Sequence, residues 1–272
     1  MGIINVTPDS FSDGGVHFER ENAIESALEM ERAGAAIVDV GGESTRPGAE
    51  PVPVDLELER VIPVIEGIRR RSAIPISIDT MKAAVAEAAL DAGANLVNDV
   101  SALRFDPVMT PLVRDRQVPV ILMHMRGEPR TMQQNPQYND LIGEIREELS
   151  RWRDKAVAGG VEARSILIDP GIGFGKTFDH NVELLANVSS FTDIAPVVIG
   201  ASRKAFIGHL TGKPGGAARA FGSLGAVAAA ALGGAAIVRV HDVAETVDFL
   251  KVFMPIWKLE SSKSSKFKVQ SD

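Results

Sequence analysis

Polar residues in this sequence gather at one recurring place, directly after short apolar runs. The pattern is densest at the start, where Gly2–Val6 leads into Asn5, Thr7, Asp9, Ser10, Ser12 and Asp13, closed by Gly14-Gly15. It returns at Asp39 to Arg46, Asp79-Thr80, Asn98-Asp99, His124 to Arg126, Asp169 to Lys176, Ser202 to Lys204 and Arg239 to Asp242. Asp79, Asn98 and Asp169 are short acceptors suited to a ring that carries amide and amino donors. Asn5, Thr45, Arg46, Arg239 and His241 suit an anion, with cations and neutral donors around it. Asn5 and Asp13 add oxygens of the kind Mg²⁺ takes while it keeps waters and a substrate phosphate. The combined reading is a flat heterocycle held beside a phosphorylated group. Each residue alone has a plainer role: Asp79 or Asp169 could cap the next helix, and Asn98 could fill a turn. Eight such clusters on one rim favour a shared site. His241 could also ligate a metal, but no Cys and only five His, none in paired spacing, argue against zinc.

The runs that must position these groups alternate in type. Strand candidates are Gly2–Val6, Ala36–Val40, Ile74–Ile78, Asn95–Val100, Pro119–Met123, Ser165–Ile168, Val197–Gly200 and Ala236–Val240. They are short and rich in Ile and Val, as parallel strands buried on both faces should be. Between them lie the amphipathic stretches Asn22–Ala33, Leu56–Arg71, Met81–Ala92, Pro107–Arg116, Tyr138–Ala158, His180–Ser190, Gly216–Leu232 and Val243–Met254. Many end at Ala-Gly-Ala or Gly-Gly, where Gly supplies a left-handed C-terminal residue. Eight strand-plus-helix units predict an α/β fold, a single-domain (β/α)8 TIM barrel, ahead of an open doubly wound sheet. Barrel active sites form at the C-terminal strand ends, where the polar clusters fall. The expected domain is 1–258, with 259–272, rich in Ser and Lys, expected to be a disordered tail.

Composition removes other classes. The 272 residues carry a net charge of −7, which speaks against a nucleic-acid surface, so an anionic ligand needs local positive groups. The longest apolar stretch, around Leu232, is cut by Gly233-Gly234 well short of a membrane span. With no cysteine and no evident secretion signal, a cytoplasmic location is expected. Gly171 to Thr177 ends like a nucleotide-binding phosphate loop, but Pro170 occupies the first glycine's place.

Jointly, the strand ends resemble the dihydropteroate synthase family of pterin-binding enzymes. The resemblance rests on Gly2–Gly15, Val38–Gly48, Ser77–Thr80, Asn98-Asp99, Leu122–Met125, Asp169–Lys176, Ser202–Lys204 and Arg239–Asp242, in order along nearly the whole chain. It implies a transferase of folate biosynthesis, the target of sulfonamides, joining 4-aminobenzoate to (7,8-dihydropterin-6-yl)methyl diphosphate with Mg²⁺. It assigns the pterin to Asp79, Asn98, Met123, Asp169 and Lys204, and the diphosphate to Asn5, Thr45, Arg46, Arg239 and His241. The aminobenzoate pocket would be Phe11, Pro47, Phe174, Ser202 and Lys204; Asn5 and Asp13 would hold the metal. Lys204, Asp79, Arg239 and His241 would be catalytic. Thr7–Gly15 and Ser44–Gly48 would be mobile loops, and the partner a second copy in a homodimer. Two departures stand out. Relatives usually carry a segment before the first strand, so the N-terminal barrel-floor segment is expected to be short or missing. Ala205 stands where many relatives have Ser. The alternatives are a pterin-dependent methyltransferase of the same superfamily, which has no use for a diphosphate anchor, and a catalytically silent pterin-binding barrel.

Overall fold

Strand formation follows the β-branched runs, and each strand ends where its polar cluster begins. The computed structural model describes residues 1–6, 16–46, 48–128 and 130–268, with side chains for 1–6, 20–46, 48–128 and 130–259. Phe11, Asp13, Pro47 and the stretch 7–15 lie outside the described residues. The strands are β1 (Gly2–Asn5), β2 (Val38–Gly41), β3 (Ile76–Asp79), β4 (Leu96–Asp99), β5 (Val120–Met123), β6 (Ile166–Asp169), β7 (Val198–Ile199) and β8 (Ile237–Val238). The helices are α1 (Val16–Arg32), α2 (Val54–Arg69), α3 (Ala83–Asp91), α4 (Met109–Arg116), α5 (Leu141–Ala158), α6 (Phe178–Ala186), α7 (Ala205–Thr211), α8 (Ala220–Leu232) and α9 (Val243–Lys268).

Strands β1 to β6 pair in parallel and in sequence order, and β7 pairs with β8. Parallel bridges Ile168↔Val197 and Gly2↔Val240 join the two sets at both seams. Backbone bonds cross those seams too, with Ile168 N donating to Pro196 O at 3.0 Å and Ile3 N donating to Val240 O at 3.0 Å. The result is a closed ring in the order one to eight, the TIM barrel expected from the alternation.

Period-two alternation divides each strand between two environments. Val38, Val40, Ile76, Ile78, Val97, Leu122, Ile166 and Ile168 belong to the main core, with Val61, Ile65 and Ile68 of α2 and Ile145 and Leu149 of α5. A separate cluster of Ile37, Leu96, Ile121, Leu167, Val198 and Ile237 fills the ring interior. Each such side chain, fully removed from water, contributes roughly 1.5–3 kcal/mol before entropy is counted. Two residues further along β2, β3, β4 and β6 the inward positions are Asp39, Asp79, Asn98 and Asp169, so the interior changes from apolar to polar toward the C-terminal mouth.

The helices depart from expectation at three places. α7 was not anticipated, because its seven residues lie between Lys204 and Gly212 and are too short for a periodic signal. α1 begins at Val16 instead of Asn22. α9 passes the expected end at Met254 and reaches Lys268 through Pro255, taking helical backbone into 259–268. No Gly or Pro follows Pro255 to stop it. No single described helix is long and apolar enough to cross a membrane.

Candidate active site

Strand register puts three candidate residues, and Gly41 between two of them, on one level of the mouth. Asn5 pairs with Gly41, Gly41 with Asp79, and Asp79 with Asn98. Gly41 keeps this level open: a Cβ there would lie 3.4 Å from that of Asp79. Across the ring, Arg239 donates from Nε to Asp39 Oδ2 at 2.6 Å and from its terminal nitrogen to Asp79 Oδ2 at 2.7 Å. Asp39 Oδ2 also accepts from Asn98 Nδ2 at 3.1 Å. Arg239 therefore bridges two carboxylates, one of them on a residue to which the sequence reading gave no role. Asp39 is fully buried and its Oδ1 has no hydrogen-bond partner.

These charges set one another. Burial pushes the Asp79 carboxyl up to about 7; Arg239 opposes the shift, while Asp39, Glu57 and Asp99 reinforce it. Burial would lower the Arg239 guanidinium, but Asp39 and Asp79 hold it above its ordinary value. Asp169 is raised by burial against the pull of Lys204, and its Oδ1 accepts from Gly171 N at 2.7 Å. Lys204 is brought down to about 8, chiefly by burial, with Asp169 supporting its charge. Its Nζ donates to Ile172 O and lies 4.6 Å from the centre of the Phe174 ring.

One wall of the mouth is soft. Met123, Met125, Met132 and Val100 form a buried cluster against which Met81 and Phe174 pack. Thioethers adapt to a flat ring and favour contact with it. Only Met123 and Phe174 of this group were named from the sequence.

The Ser202-Arg203-Lys204 triplet splits. Arg203, at a left-handed φ of 59°, turns away and pairs with Asp242, while Ser202 and Lys204 remain at the mouth. Ser202 Oγ accepts from His241 N at 3.2 Å and lies 3.1 Å from His241 Nδ1. The hydroxyl can therefore donate to Nδ1, leaving Nε2 as the protonated nitrogen and a donor for an anion. Burial, with Arg203 and Arg239, lowers His241 to about 4, so the ring is neutral near pH 7. Arg46 contributes to that lowering, which puts its charge on the His241 side. Thr45 is half-buried and Arg46 exposed.

Two further residues prove structural. Asp99 accepts from Ser101 N, Ser101 Oγ and Leu103 N, stapling the turn after β4. Lys176, the lysine of the phosphate-loop look-alike, is 2% exposed and points inward. Its Nζ lies 3.0 Å from His124 Nδ1 and donates to Phe174 O at 2.9 Å. It is not presented to a nucleotide.

Comparison with known proteins bears on this geometry directly. The family model for pterin binding enzymes matches residues 1–241. Dihydropteroate synthase of Synechocystis is 46% identical over 259 residues, covering 95% of this chain and 90% of the relative. The chain belongs to the dihydropteroate synthase family. Among solved structures, Xanthomonas albilineans dihydropteroate synthase with 4-aminobenzoic acid superposes with a TM-score of 0.89 at 48% identity, covering 94% of this chain and 92% of that one. The Yersinia pestis dihydropteroate synthase in complex with a sulfonamide drug gives 0.89 at 42% identity, over 95% and 94%. As a dihydropteroate synthase the protein is a transferase of folate synthesis. The polar mouth and its methionine wall are the features this family membership must put to use.

Proposed function

We propose that the barrel mouth binds a dihydropterin through Asp79, Asn98, Asp169 and Lys204 and its methylene diphosphate through Asn5, Thr45, Arg46, Arg239 and His241. The dihydropterin diphosphate is joined there to 4-aminobenzoate, releasing pyrophosphate. One observation carries this reading: acceptors for a flat ring and donors for an anion meet on a single guanidinium, Arg239, between Asp39 and Asp79.

In this reading the methylene C–O bond to diphosphate breaks first, and Asp79, once ionised, stabilises the positive methylene left on the pterin. Arg239 and the Nε2 donor of His241 stabilise the charge on the departing pyrophosphate, the term expected to carry most of the rate. The amine nitrogen then forms the new C–N bond and loses one proton. It needs no strong base, being nucleophilic when neutral. Phe174, Ser202 and Lys204 border the aminobenzoate pocket, together with Phe11 and Pro47. α7 begins at Ala205, so its first backbone N–H groups are available to a carboxylate where relatives carry a hydroxyl.

Among the described residues no three His, Asp or Glu side chains form a metal cage. Asn5 does offer an oxygen at the mouth, which fits an ion held mainly by waters and diphosphate with one or two protein ligands. Asn5 and Asp13 would hold Mg²⁺, which neutralises diphosphate charge when bound. The working unit is a cytoplasmic homodimer joined through α8 and α9, whose surfaces expose Phe221, Val252 and Ile256.

Pyrophosphate release from dihydropterin diphosphate, measured with Mg²⁺ in the presence and absence of 4-aminobenzoate, tests the reading. Release that requires the amine and yields dihydropteroate is expected. Tight pterin binding without release would turn the assignment toward the silent barrel or the methyltransferase.

A further inference from the structure

Outside the mouth, one buried charge cluster has no part in the chemistry above. Lys82, at the start of α3, pairs with Glu43 and with Glu57 Oε2, the latter at 2.5 Å, and donates to Val52 O at 2.7 Å. Glu43 and Val52 bracket the segment that carries Thr45 and Arg46. One ammonium therefore fastens both ends of a ten-residue stretch. Among the described residues, the bonds inside this stretch are local: Arg46 N donates to Ser44 Oγ and Ala49 N to Arg46 O. At its base, Arg60 donates to the O of the preceding Gly42 at 2.7 Å.

The charge balance makes this fastening sensitive. Lys82 and Glu43 side chains are each 13% exposed and Glu57 is 1% exposed. Two carboxylates share one ammonium, and Glu57 Oε1 has no hydrogen-bond partner. Without the ammonium, the carboxylates would be left near one another in a poorly solvated place. Repulsion and desolvation would then expel Glu43, which lies outside any helix or strand, because Glu57 is held in the first turn of α2. Lys82 also lies three residues past Asp79, so it ties the segment to the strand end that faces the pterin.

We infer that Lys82, with Glu43 and Glu57, is a positioning residue that sets Thr45 and Arg46 against the diphosphate side of the mouth. The inference rests on the proposed function, since it concerns how that site holds its diphosphate. It separates two binding events. Removing the fastener should weaken recognition of the diphosphate and leave the pterin cradle of Asp79, Asn98 and Asp169 in place.

The test compares wild type with Glu43→Gln, Lys82→Met and the double variant, measuring KM for dihydropterin diphosphate and, separately, the Kd of a dihydropterin lacking the diphosphate. KM should rise on the order of 10- to 100-fold in either single variant, as misplaced positioning groups do, while Kd changes less than about 2-fold. The double variant should be little worse than Lys82→Met, because that change already removes the Lys82–Glu43 pair. Glu43→Gln leaves the Lys82–Glu57 pair intact, so it remains informative if Lys82→Met does not fold. Unchanged KM in Glu43→Gln, or equal losses for both ligands, would overturn the inference. An inactive wild type would instead overturn the proposed function.

Discussion

At the scale of single residues, Asp79 decides when the site can take a pterin. It accepts two parallel N–H bonds from a ring only as a carboxylate, yet burial holds its carboxyl at about 7. Binding of a dihydropterin should therefore strengthen as pH rises through about 7 and level off above it. Asp79→Asn should bind weakly at all pH values and lose that limb. Isothermal titration at several pH values checks this, and a limb that persists in the variant would assign it to another group. The same shift has the opposite sense for stability. A carboxyl raised from 3.8 to about 7 by folding adds stability that is complete below pH 3.8 and is lost as pH rises through about 7. Much of this site was legible in the sequence, because residues at strand ends identify themselves by type. Asp39 was not: its partner Arg239 lies 200 positions away. No local pattern separates an acidic residue that holds a guanidinium from one that caps a turn. The Met81, Met125 and Met132 contribution to the wall was hidden for a similar reason, since apolar residues after a strand read as core.

At the scale of elements, the end of β5 is tied to α5 by a polar chain. Glu148 Oε2 accepts from His124 Nε2 at 3.0 Å, and Arg126 donates to Glu148 Oε1 at 2.9 Å. The carboxylate must accept, so Nε2 carries the proton and Nδ1 receives the bond from Lys176. Burial, with Lys176, lowers His124 to about 3, and the bond from His124 lowers Glu148 to about 2. Both shifts favour the fold above the unfolded values. His124 contributes stability that fades from pH 6.5 downward, and Glu148 contributes stability that fades from pH 4.5 toward 2. From about pH 6.5 toward 3 the His124 contribution falls while that of Asp79 rises, so urea unfolding of His124→Gln should lack the falling component and diverge in slope from wild type. A variant with the same slope as wild type would exclude His124 as its source. Element types were read correctly because the Ile- and Val-rich runs and the 3.6-residue period are strong signals. The misses were short or unpunctuated: α7 gives too few turns for a period, and α9 lacks a residue that would stop it.

At the scale of the whole molecule, five of the twelve exposed large hydrophobic residues among the described ones lie on the last two helices. Phe221 on α8 is 88% exposed, and Val252 and Ile256 on α9 are 64% and 56% exposed. Side chains of this size so open to water are the material of an interface. A dimer through this face predicts that Ile256→Glu shifts the sedimentation coefficient to that of a monomer while the barrel remains folded by circular dichroism. An unchanged dimer would move the interface elsewhere. Closure of the ring has a different consequence. The first strand is completed by the eighth, through Gly2↔Val240, so Asn5 and Arg239 share a mouth only after the last strand arrives. During translation β1 waits as an open edge for almost the whole length of the chain, and such edges invite mispairing. A ribosome that stalls before β8 would release a chain with most of its strands and no guanidinium between Asp39 and Asp79. Catalysis is in that sense a proofreading mark for completed synthesis.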